Sequence, residues 1–249
     1  MNEFENSIRT AKEHIRSLLA EQREKEYGSS LETATCIAAR SQATSEAAKR
    51  KEPLNRKERS QFNQQVRLQE EISLRWWAKE TNIWIDDERV KKIAKRFIDE
   101  GAEQKVYLKE DGHSVLKINT GIFHGTWLEF FLRLIIHKAL FPSTAYELKG
   151  FTEAEEQLCA FIEQPWVKVT RGVFKEELDK YLNPLGFVNI KNYDYYNKTH
   201  GIILEDLHDE NVFVGEENNL LFVDPVIYME TPDLVYGGSA LFYFPFEPS

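Results

Sequence analysis

Three polar residues, two carboxylates and an amide, lie at the ends of two apolar runs near the carboxyl end of the chain. Asp206 and Asn211 form a D-x-x-x-x-N pattern after Gly-Ile-Ile-Leu-Glu, and Asp224 follows Leu-Leu-Phe-Val. A structural hairpin needs turn formers at such places, but it does not require these particular oxygens at these intervals. Carboxylate and amide oxygens can bind Mg²⁺, and a carboxylate can also accept the proton of an attacking hydroxyl. The spacing therefore suggests a chemical role for these oxygens, with turn formation as the alternative for Asp206 and Asn211.

Two further charged residues lie on elements that the sequence predicts upstream of these three. The segment KVYLKEDGHSVLKIN alternates around a central Asp-Gly, which predicts a hairpin with Lys117 on its second strand. The segment TWLEFFLRLIIHKAL is rich in apolar residues and precedes a proline, which predicts a helix that carries Glu129. Each of these residues taken alone is more often an exposed surface charge, so neither is specific by itself.

Residues 1–80 are predicted to form a helical segment, and residues 81–249 a compact domain. Apolar residues at helical spacing predict one helix before residue 20 and another that ends near residue 79. An imperfect apolar stripe is predicted along the second of these helices, formed by Phe62, Val66, Ile72 and Trp76. The stretch between the two is rich in Ser, Thr and Ala and is predicted to pack weakly.

The compact domain begins with a further predicted helix. Val90, Ile93, Phe97 and Ile98 follow i, i+3, i+4 spacing, which predicts a helix that ends before Gly101. Farther along, QLCAFIEQPWV is predicted as a strand, FKEELDKYL as a helix and NYDYYNKTH as an aromatic loop. The domain therefore alternates between helical and strand patterns.

Composition and charge argue against several other classes of protein. The chain has 249 residues, of which 42% are hydrophobic, and this is enough for one sizeable core. A formal net charge of -9 argues against a general nucleic-acid-binding face. Cys36 and Cys159 are far apart, which predicts neither a disulfide framework nor a metal site and favours a cytoplasmic location. No window approaches the ~20 apolar residues that span a bilayer, and the first residues lack the apolar core of a signal peptide.

The order of the predicted elements resembles the protein-kinase-like fold. In that fold a strand Lys holds the nucleotide phosphates and pairs with a helix Glu, a D-x-x-x-x-N loop is catalytic, and a later Asp binds Mg²⁺. The resemblance implies that Lys117 binds the phosphates and that Glu129 orients it. It also implies that Asp206 is the catalytic base and that Asn211 and Asp224 bind the metal. ATP and Mg²⁺ are the cofactors that it implies.

A narrower resemblance is carried by FHGTWLEFFLRLIIHKALFPSTAYELKGF together with QPWV and DLHDENV. These segments are similar to the serine/threonine/tyrosine kinase-like domain of the polyvalent proteins of bacterial mobile elements, over about residues 80–230. The resemblance implies a kinase of the bacterial cytoplasm that acts on protein hydroxyls. His208, two residues after Asp206, matches the D-L-H of small-molecule and atypical kinases, which keeps a small-molecule phosphotransferase as an alternative.

The sequence departs from the kinase pattern at several places. The phosphate-covering loop offers only Gly101 as a nucleotide-binding glycine, and this residue could instead cap a helix. Leu204 and Glu205 stand where kinases carry His and Arg, and Pro225 stands where they carry Phe. No A-P-E motif follows Asp224. The expected fold class is therefore α+β, a reduced kinase-like fold with a small antiparallel sheet lobe and a truncated helical C-lobe, preceded by the helical segment.

Two functional classes follow from this pattern. The first is a Mg-ATP-dependent phosphotransferase, whose partners are ATP and a hydroxyl acceptor on a protein or a small molecule. The second is a catalytically silent kinase-like module that binds a protein partner at its truncated C-lobe. Retention of all five polar residues favours the enzyme, because a silent module does not need a base at Asp206. Neither class predicts binding to a membrane or to nucleic acid.

Overall fold

The structure is a computed structural model that describes residues 3–20, 28–44, 56–229, 235–236 and 239–240. Over these ranges the chain is an α+β protein that combines α-helices with antiparallel sheets. Within the same ranges no helix has both the length and the apolar character needed to cross a membrane.

Three helices precede the sheets: α1 (Glu3–Ala20), α2 (Ser30–Thr44) and α3 (Arg56–Glu80). The apolar face predicted for α1 is confirmed, since its buried residues include Ile15 and Leu18. Side chains of all three helices belong to the same hydrophobic core as the later elements. The predicted division after residue 80 therefore separates segments that share a core, and that division stays a prediction.

The prediction that the Ser-, Thr- and Ala-rich stretch packs weakly is wrong for α2. Ala34, Cys36 and Ala38 are almost completely buried, and α2 contacts both α3 and the later helix α5 (Trp127–Leu140). Short side chains allow neighbouring helices to approach closely and to fill the interior at high density. Composition alone suggested little apolar area, although the small residues lie on the packed face.

The predicted apolar stripe of α3 is confirmed at Val66, which is completely buried, but is wrong at Ile72 and Trp76, which are 62% and 64% exposed. From Val66 the buried face continues instead through Glu70, Leu74 and Ala78. The glutamate in the middle of this face hides the true periodicity from a search for apolar residues.

The helix predicted through Ile98 ends earlier. Helix α4 (Asp87–Ile93) is followed directly by strand β1 (Ala94–Glu100), which pairs with β2 (Gln104–Lys109) in antiparallel register. The rings of Phe97 and Tyr107 face each other across this pair, with centroids 5.7 Å apart. Cross-strand pairing of this kind decides strand formation where local spacing is ambiguous.

The first sheet has the order β1-β2-β3-β5-β4, and all its neighbouring strands are antiparallel. Its remaining strands are β3 (Ser114–Asn119), β4 (Glu147–Ala154) and β5 (Gln157–Pro165). The hairpin predicted around the Asp-Gly turn is confirmed as β2 and β3. Because Lys117 lies on β3 between β2 and β5, its side chain is held at the centre of the sheet.

Helix α5 (Trp127–Leu140) connects β3 to β4 and confirms the predicted helix. Its N-cap residue is Thr126, whose hydroxyl accepts from the N–H of Glu129. The apolar side of α5 buries Phe131, which stacks on Trp127. α5 contacts α1 and α2, so the N-terminal helices help to fix its position.

The described elements after β5 are mostly short strands. They are β6 (Val169–Gly172), α6 (Lys175–Leu182), β7 (Val188–Lys191), β8 (Asp194–Asn197), β9 (Ile202–Glu205), β10 (Val212–Gly215), β11 (Leu220–Phe222), β12 (Val226–Met229), β13 (Val235–Tyr236) and β14 (Ser239–Ala240). One sheet has the order β11-β10-β6, a second the order β12-β9-β8-β7, and β13 pairs with β14. Within the described residues after β5, α6 is the only α-helix.

The aromatic loop that the sequence predicted before β9 is in part strand β8. Tyr195 on this strand is completely buried, and its hydroxyl donates to Asp179 of α6 at 2.7 Å. Burial of alternate side chains favours a strand here in spite of the polar residues. The loop prediction was therefore wrong over β8.

Candidate active site

Strand pairing brings Asn211 and Asp224 together. Asn211 lies directly before β10 and Asp224 closely follows β11, its antiparallel partner. The backbone N–H groups of Val223 and Asp224 donate to the carbonyl oxygen of Asn211 at 2.8 and 3.3 Å. The two predicted metal ligands are thus neighbours because they lie at the same end of one hairpin.

The side-chain amide of Asn211 binds Asp206. The Nδ2 atom of Asn211 donates to the carbonyl oxygen of Asp206 at 2.9 Å and to its Oδ2 atom at 3.0 Å. The Nε2 atom of His208 lies 3.1 Å from Oδ1 of Asp206. The Asp206 side chain remains 54% exposed, so its carboxylate is accessible to solvent.

The backbone of Asp206 has a φ of 62°, in the left-handed region. Asp and Asn tolerate this conformation better than most residues. The N–H of Asp206 donates to the Oδ1 atom of Asp194 at 3.2 Å, which helps to hold the turn. The loop after β9 therefore directs the carboxylate outward at the cost of an uncommon backbone conformation.

Lys117 and Asp224 form an ion pair between the first sheet and the end of β11. The Nζ atom of Lys117 lies 3.7 Å from Oδ2 of Asp224, and the Lys117 side chain is only 5% exposed. Burial lowers the pKa of Lys117, and the charge of Asp224 opposes this shift. The ammonium also lies 5.2 Å from the ring centroid of Tyr146. Residues 107 positions apart in the sequence thus meet inside one cleft.

Asp224 has further partners that sequence reasoning missed. Tyr146 donates from its hydroxyl to Oδ1 at 2.8 Å, and Gln104 donates from Nε2 to Oδ2 at 2.5 Å. The Nη2 atom of Arg133 lies 3.5 Å from Oδ1. Burial raises the pKa of Asp224, but Lys117 and Arg133 outweigh it, and the pKa falls to about 2. Asp224 is therefore an anion at neutral pH.

A sequence signal existed for one of these partners. Arg133 follows Glu129 at the i+4 position of the predicted helix, so both belong to the same face. For Gln104 and Tyr146 there was no comparable signal, because their contact with Asp224 depends on how separate elements pack.

Glu129 lies at the start of α5 and takes part in its N-terminal cap. Its Oε2 atom accepts from the N–H of Gly125 at 2.8 Å, while its own N–H donates to Thr126. The arrangement resembles a capping box, except that the glutamate accepts from the residue before the N-cap and not from the N-cap itself. The ion pair of Lys117 is with Asp224, and the role of Glu129 as its orienting partner stays a prediction.

The loop between β1 and β2 stands where the resemblance expects the phosphate-covering loop. Gly101 closes this turn and does not cap a helix, since its N–H donates to the carbonyl oxygen of Gln104 at 2.9 Å. Glu103 in the same loop is largely buried, and its Oε1 atom lies 3.8 Å from Nε2 of His124. Burial raises the pKa of Glu103, and the charge of Arg133 opposes the shift. The loop therefore carries a carboxylate into the cleft.

The two carbonyl groups before Asp224 are held by buried side chains. The oxygen of Phe222 accepts from Thr144 at 2.6 Å and from Nε2 of His137 at 3.1 Å. The oxygen of Val223 accepts from Gln164 at 2.8 Å and lies 2.6 Å from the hydroxyl of Tyr146, whose single proton it shares with Asp224. These contacts come from α5, from the turn after it, and from β5. The position of Asp224 is thus fixed by the first sheet and α5 as well as by its own hairpin.

The donor set fits a magnesium ion that shares its shell with phosphate. Asp224 and Asn211 offer hard oxygen atoms, and Mg²⁺ in phosphotransferases binds one or two carboxylates together with substrate phosphates and water. Within the described residues no group of three or more His, Cys, Asp or Glu side chains forms a metal cluster. Each oxygen of Asp224 accepts one hydrogen bond from a protein group, and each keeps a second lone pair with which it could bind a metal.

One family model matches this chain. The family is described as the serine/threonine/tyrosine kinase found in polyvalent proteins, and the match covers residues 67–231, well over half of the sequence. The chain therefore belongs to this family, as the sequence resemblance predicted. The match begins within α3, earlier than the predicted start near residue 80. No curated protein and no solved structure matches the chain.

Proposed function

We propose that this member of the polyvalent-protein kinase family is a Mg-ATP-dependent phosphotransferase that acts on protein hydroxyl groups. The observation that carries the proposal is the connection of four polar residues in one cleft. Asn211 bonds Asp206 through its side chain and Asp224 through its backbone, while Lys117 lies 3.7 Å from Asp224. Phosphoryl transfer needs a base, metal ligands and a phosphate-binding cation in such proximity.

Each residue has a role in this proposal. Lys117 neutralises phosphate charge, and Asp206 accepts the proton of the attacking hydroxyl through its exposed carboxylate. Asn211 and Asp224 hold Mg²⁺, which when bound neutralises charge that develops on the phosphate oxygens. Gly101 lets the loop backbone approach the nucleotide.

The acceptor and the location are the finer parts of the proposal. A protein acceptor is supported by the family description, which names serine, threonine and tyrosine. A small-molecule hydroxyl is the alternative, supported by His208, which contacts Asp206. The bacterial cytoplasm is the proposed compartment, in keeping with the burial of Cys36 and Cys159, which lie far apart in the sequence.

A silent binding module is the competing function, and one observation favours it. Both carboxylate oxygens of Asp224 are already satisfied by Gln104 and Tyr146, so the cleft is stable without a metal. In that case the truncated C-lobe would serve a protein partner. The two functions differ in whether phosphate leaves ATP.

Transfer of labelled phosphate distinguishes these functions. Wild-type protein would be incubated with Mg²⁺ and ATP labelled at the terminal phosphate, with mixed proteins or hydroxylated small molecules as acceptors. Asp206→Asn keeps the left-handed backbone but removes the base, so we expect transfer to fall by about 10²- to 10⁴-fold. Asp209→Asn, an exposed carboxylate of the same loop, is the matched control and should retain activity.

The outcomes separate the alternatives. Label that appears only in small molecules identifies the small-molecule phosphotransferase. Equal transfer by wild type and Asp206→Asn removes Asp206 from the mechanism. The absence of transfer to any acceptor, with Mg-ATP bound, favours the silent module.

A further inference from the structure

Arg133 places a permanent positive charge beside Lys117. The Arg133 side chain is 11% exposed, and its Nη2 atom lies 3.5 Å from Oδ1 of Asp224. The same atom donates to the carbonyl oxygen of Pro225 at 2.9 Å, and Nη1 lies 3.2 Å from Nε2 of His124. A guanidinium stays protonated in proteins. Two buried cations therefore share one carboxylate, each facing a different oxygen.

Few negatively charged groups lie near the Arg133 guanidinium to neutralise its charge. Burial, with Arg133 and Arg67 adding to it, lowers the pKa of His124 to about 3, so this ring is neutral at pH 7 and accepts from Arg133. Glu103 is a second carboxylate close to Arg133, since its Oε1 atom lies 3.8 Å from the Nε2 atom of His124 that Arg133 contacts. This buried Oε1 atom has no hydrogen-bond partner among the described residues. Glu103 thus brings a carboxylate oxygen without a partner close to a cation that lacks a bidentate partner.

A metal on Asp224 would change this balance. Two positive charges would be added next to Lys117 and Arg133, and the shared carboxylate could no longer neutralise both of them. Like charges at this separation repel strongly in a buried site. An anion of several charges must therefore enter with the metal, and the planar fork of an arginine matches phosphate oxygens.

From this arrangement we infer that Arg133 binds the polyphosphate of the nucleotide, at a position that the Glu103 carboxylate occupies when no nucleotide is bound. The inference rests on the proposed function and adds a phosphate-binding residue to it. It also explains why the loop between β1 and β2 needs only one glycine, Gly101. The guanidinium supplies the phosphate contacts that the backbone of a glycine-rich loop provides in other kinases. Glu103 then competes with phosphate and must be displaced.

Calorimetric titration with Mg-ATP, and separately with adenosine, tests the inference. Arg133→Gln should weaken Mg-ATP binding by about tenfold or more, because a charge-assisted contact is lost, and should leave adenosine binding unchanged. Glu103→Gln should strengthen Mg-ATP binding, because it removes the competing charge. Arg171→Gln is the matched control, since Arg171 pairs with Glu177 outside the cleft.

The wild type tests the proposed function, and the variants test the inference about Arg133. A wild type that does not bind Mg-ATP refutes the proposed function and the inference with it. Binding by the wild type that stays unchanged in folded Arg133→Gln overturns the inference alone. If Arg133→Gln does not fold, Glu103→Gln decides: tighter Mg-ATP binding supports the inference, and unchanged or weaker binding overturns it.

Discussion

Glu70 makes a pH-dependent link between α3 and the helix that carries Arg133. Its carboxylate is completely buried, and it accepts from the N–H groups of Trp127 and Leu128 at 2.7 and 3.3 Å. The Nε2 atom of Gln42 donates to it at 3.4 Å. Burial raises the pKa of Glu70 from 4.5 to about 8, and these three donors oppose the shift. The ionised form is therefore costly in the folded protein.

The sign of the effect on stability follows from linkage. The folded state binds the Glu70 proton more tightly than the unfolded state does, because its pKa is raised. This stabilisation is fully present below pH 4.5 and is lost as the pH rises to about 8. The difference corresponds to roughly 4 to 5 kcal/mol of unfolding free energy at most.

Glu70→Gln should remove this pH dependence. The free energy of unfolding, measured by urea denaturation at several values between pH 5 and pH 8.5, should fall less steeply for the variant than for the wild type. The stability of the variant relative to the wild type should therefore rise with pH by several kcal/mol. Glu80→Gln, an exposed position on the same helix, should follow the wild-type curve. Parallel curves for wild type and Glu70→Gln would refute the reasoning.

Three other substitutions give independent tests. Phe131→Ala empties a fully buried aromatic position and should lower the unfolding free energy by about 3–5 kcal/mol in urea; a loss below ~1 kcal/mol would contradict the packing. Tyr146→Phe removes the hydroxyl that contacts Asp224 and should cost about 1–3 kcal/mol by the same measurement, whereas an unchanged midpoint would show that the contact is unimportant. Lys117→Ala should weaken Mg-ATP binding by about tenfold or more in calorimetry, while the exposed-pair control Lys105→Ala should not.

The elements that carry a clear period could be predicted from the sequence. The β2–β3 hairpin has a central Asp-Gly turn between alternating runs, and α5 has apolar residues on two faces and a proline after its end. These signals come from residues that are close in sequence, so they do not depend on how distant segments pack. They placed Lys117 on its strand and Glu129 on its helix.

Other elements were decided by long-range packing. The spacing of Phe97 fits a helix, but β1 forms because β2 offers an antiparallel partner. The buried face of α3 contains Glu70, whose charge would exclude it from a core unless α5 offered backbone N–H groups as donors. Such compensations depend on contacts between distant segments, and no window of the sequence contains them.

In the candidate site, too, some residues could be predicted from local sequence and others depend on long-range packing. Asp206, Asn211 and Asp224 were found because a loop motif and a hairpin keep them close in sequence. Gln104 and Tyr146 reach Asp224 from strands and turns more than 75 residues away. A pattern search along the chain cannot rank these residues, although they set the charge and position of the carboxylate.

In the proposed function, Asp224 binds a metal that enters together with ATP. A ligand that binds only the folded state stabilises it by about 2.7 kcal/mol at a hundredfold excess over Kd, which raises the melting temperature of a protein of this size by about 5–10 °C. We predict that Mg-ATP produces such a shift in the wild type, that EDTA abolishes it, and that Asp224→Asn loses it while Asp209→Asn retains it. A wild type whose melting temperature does not respond to Mg-ATP, or a full shift in Asp224→Asn, would contradict the claim.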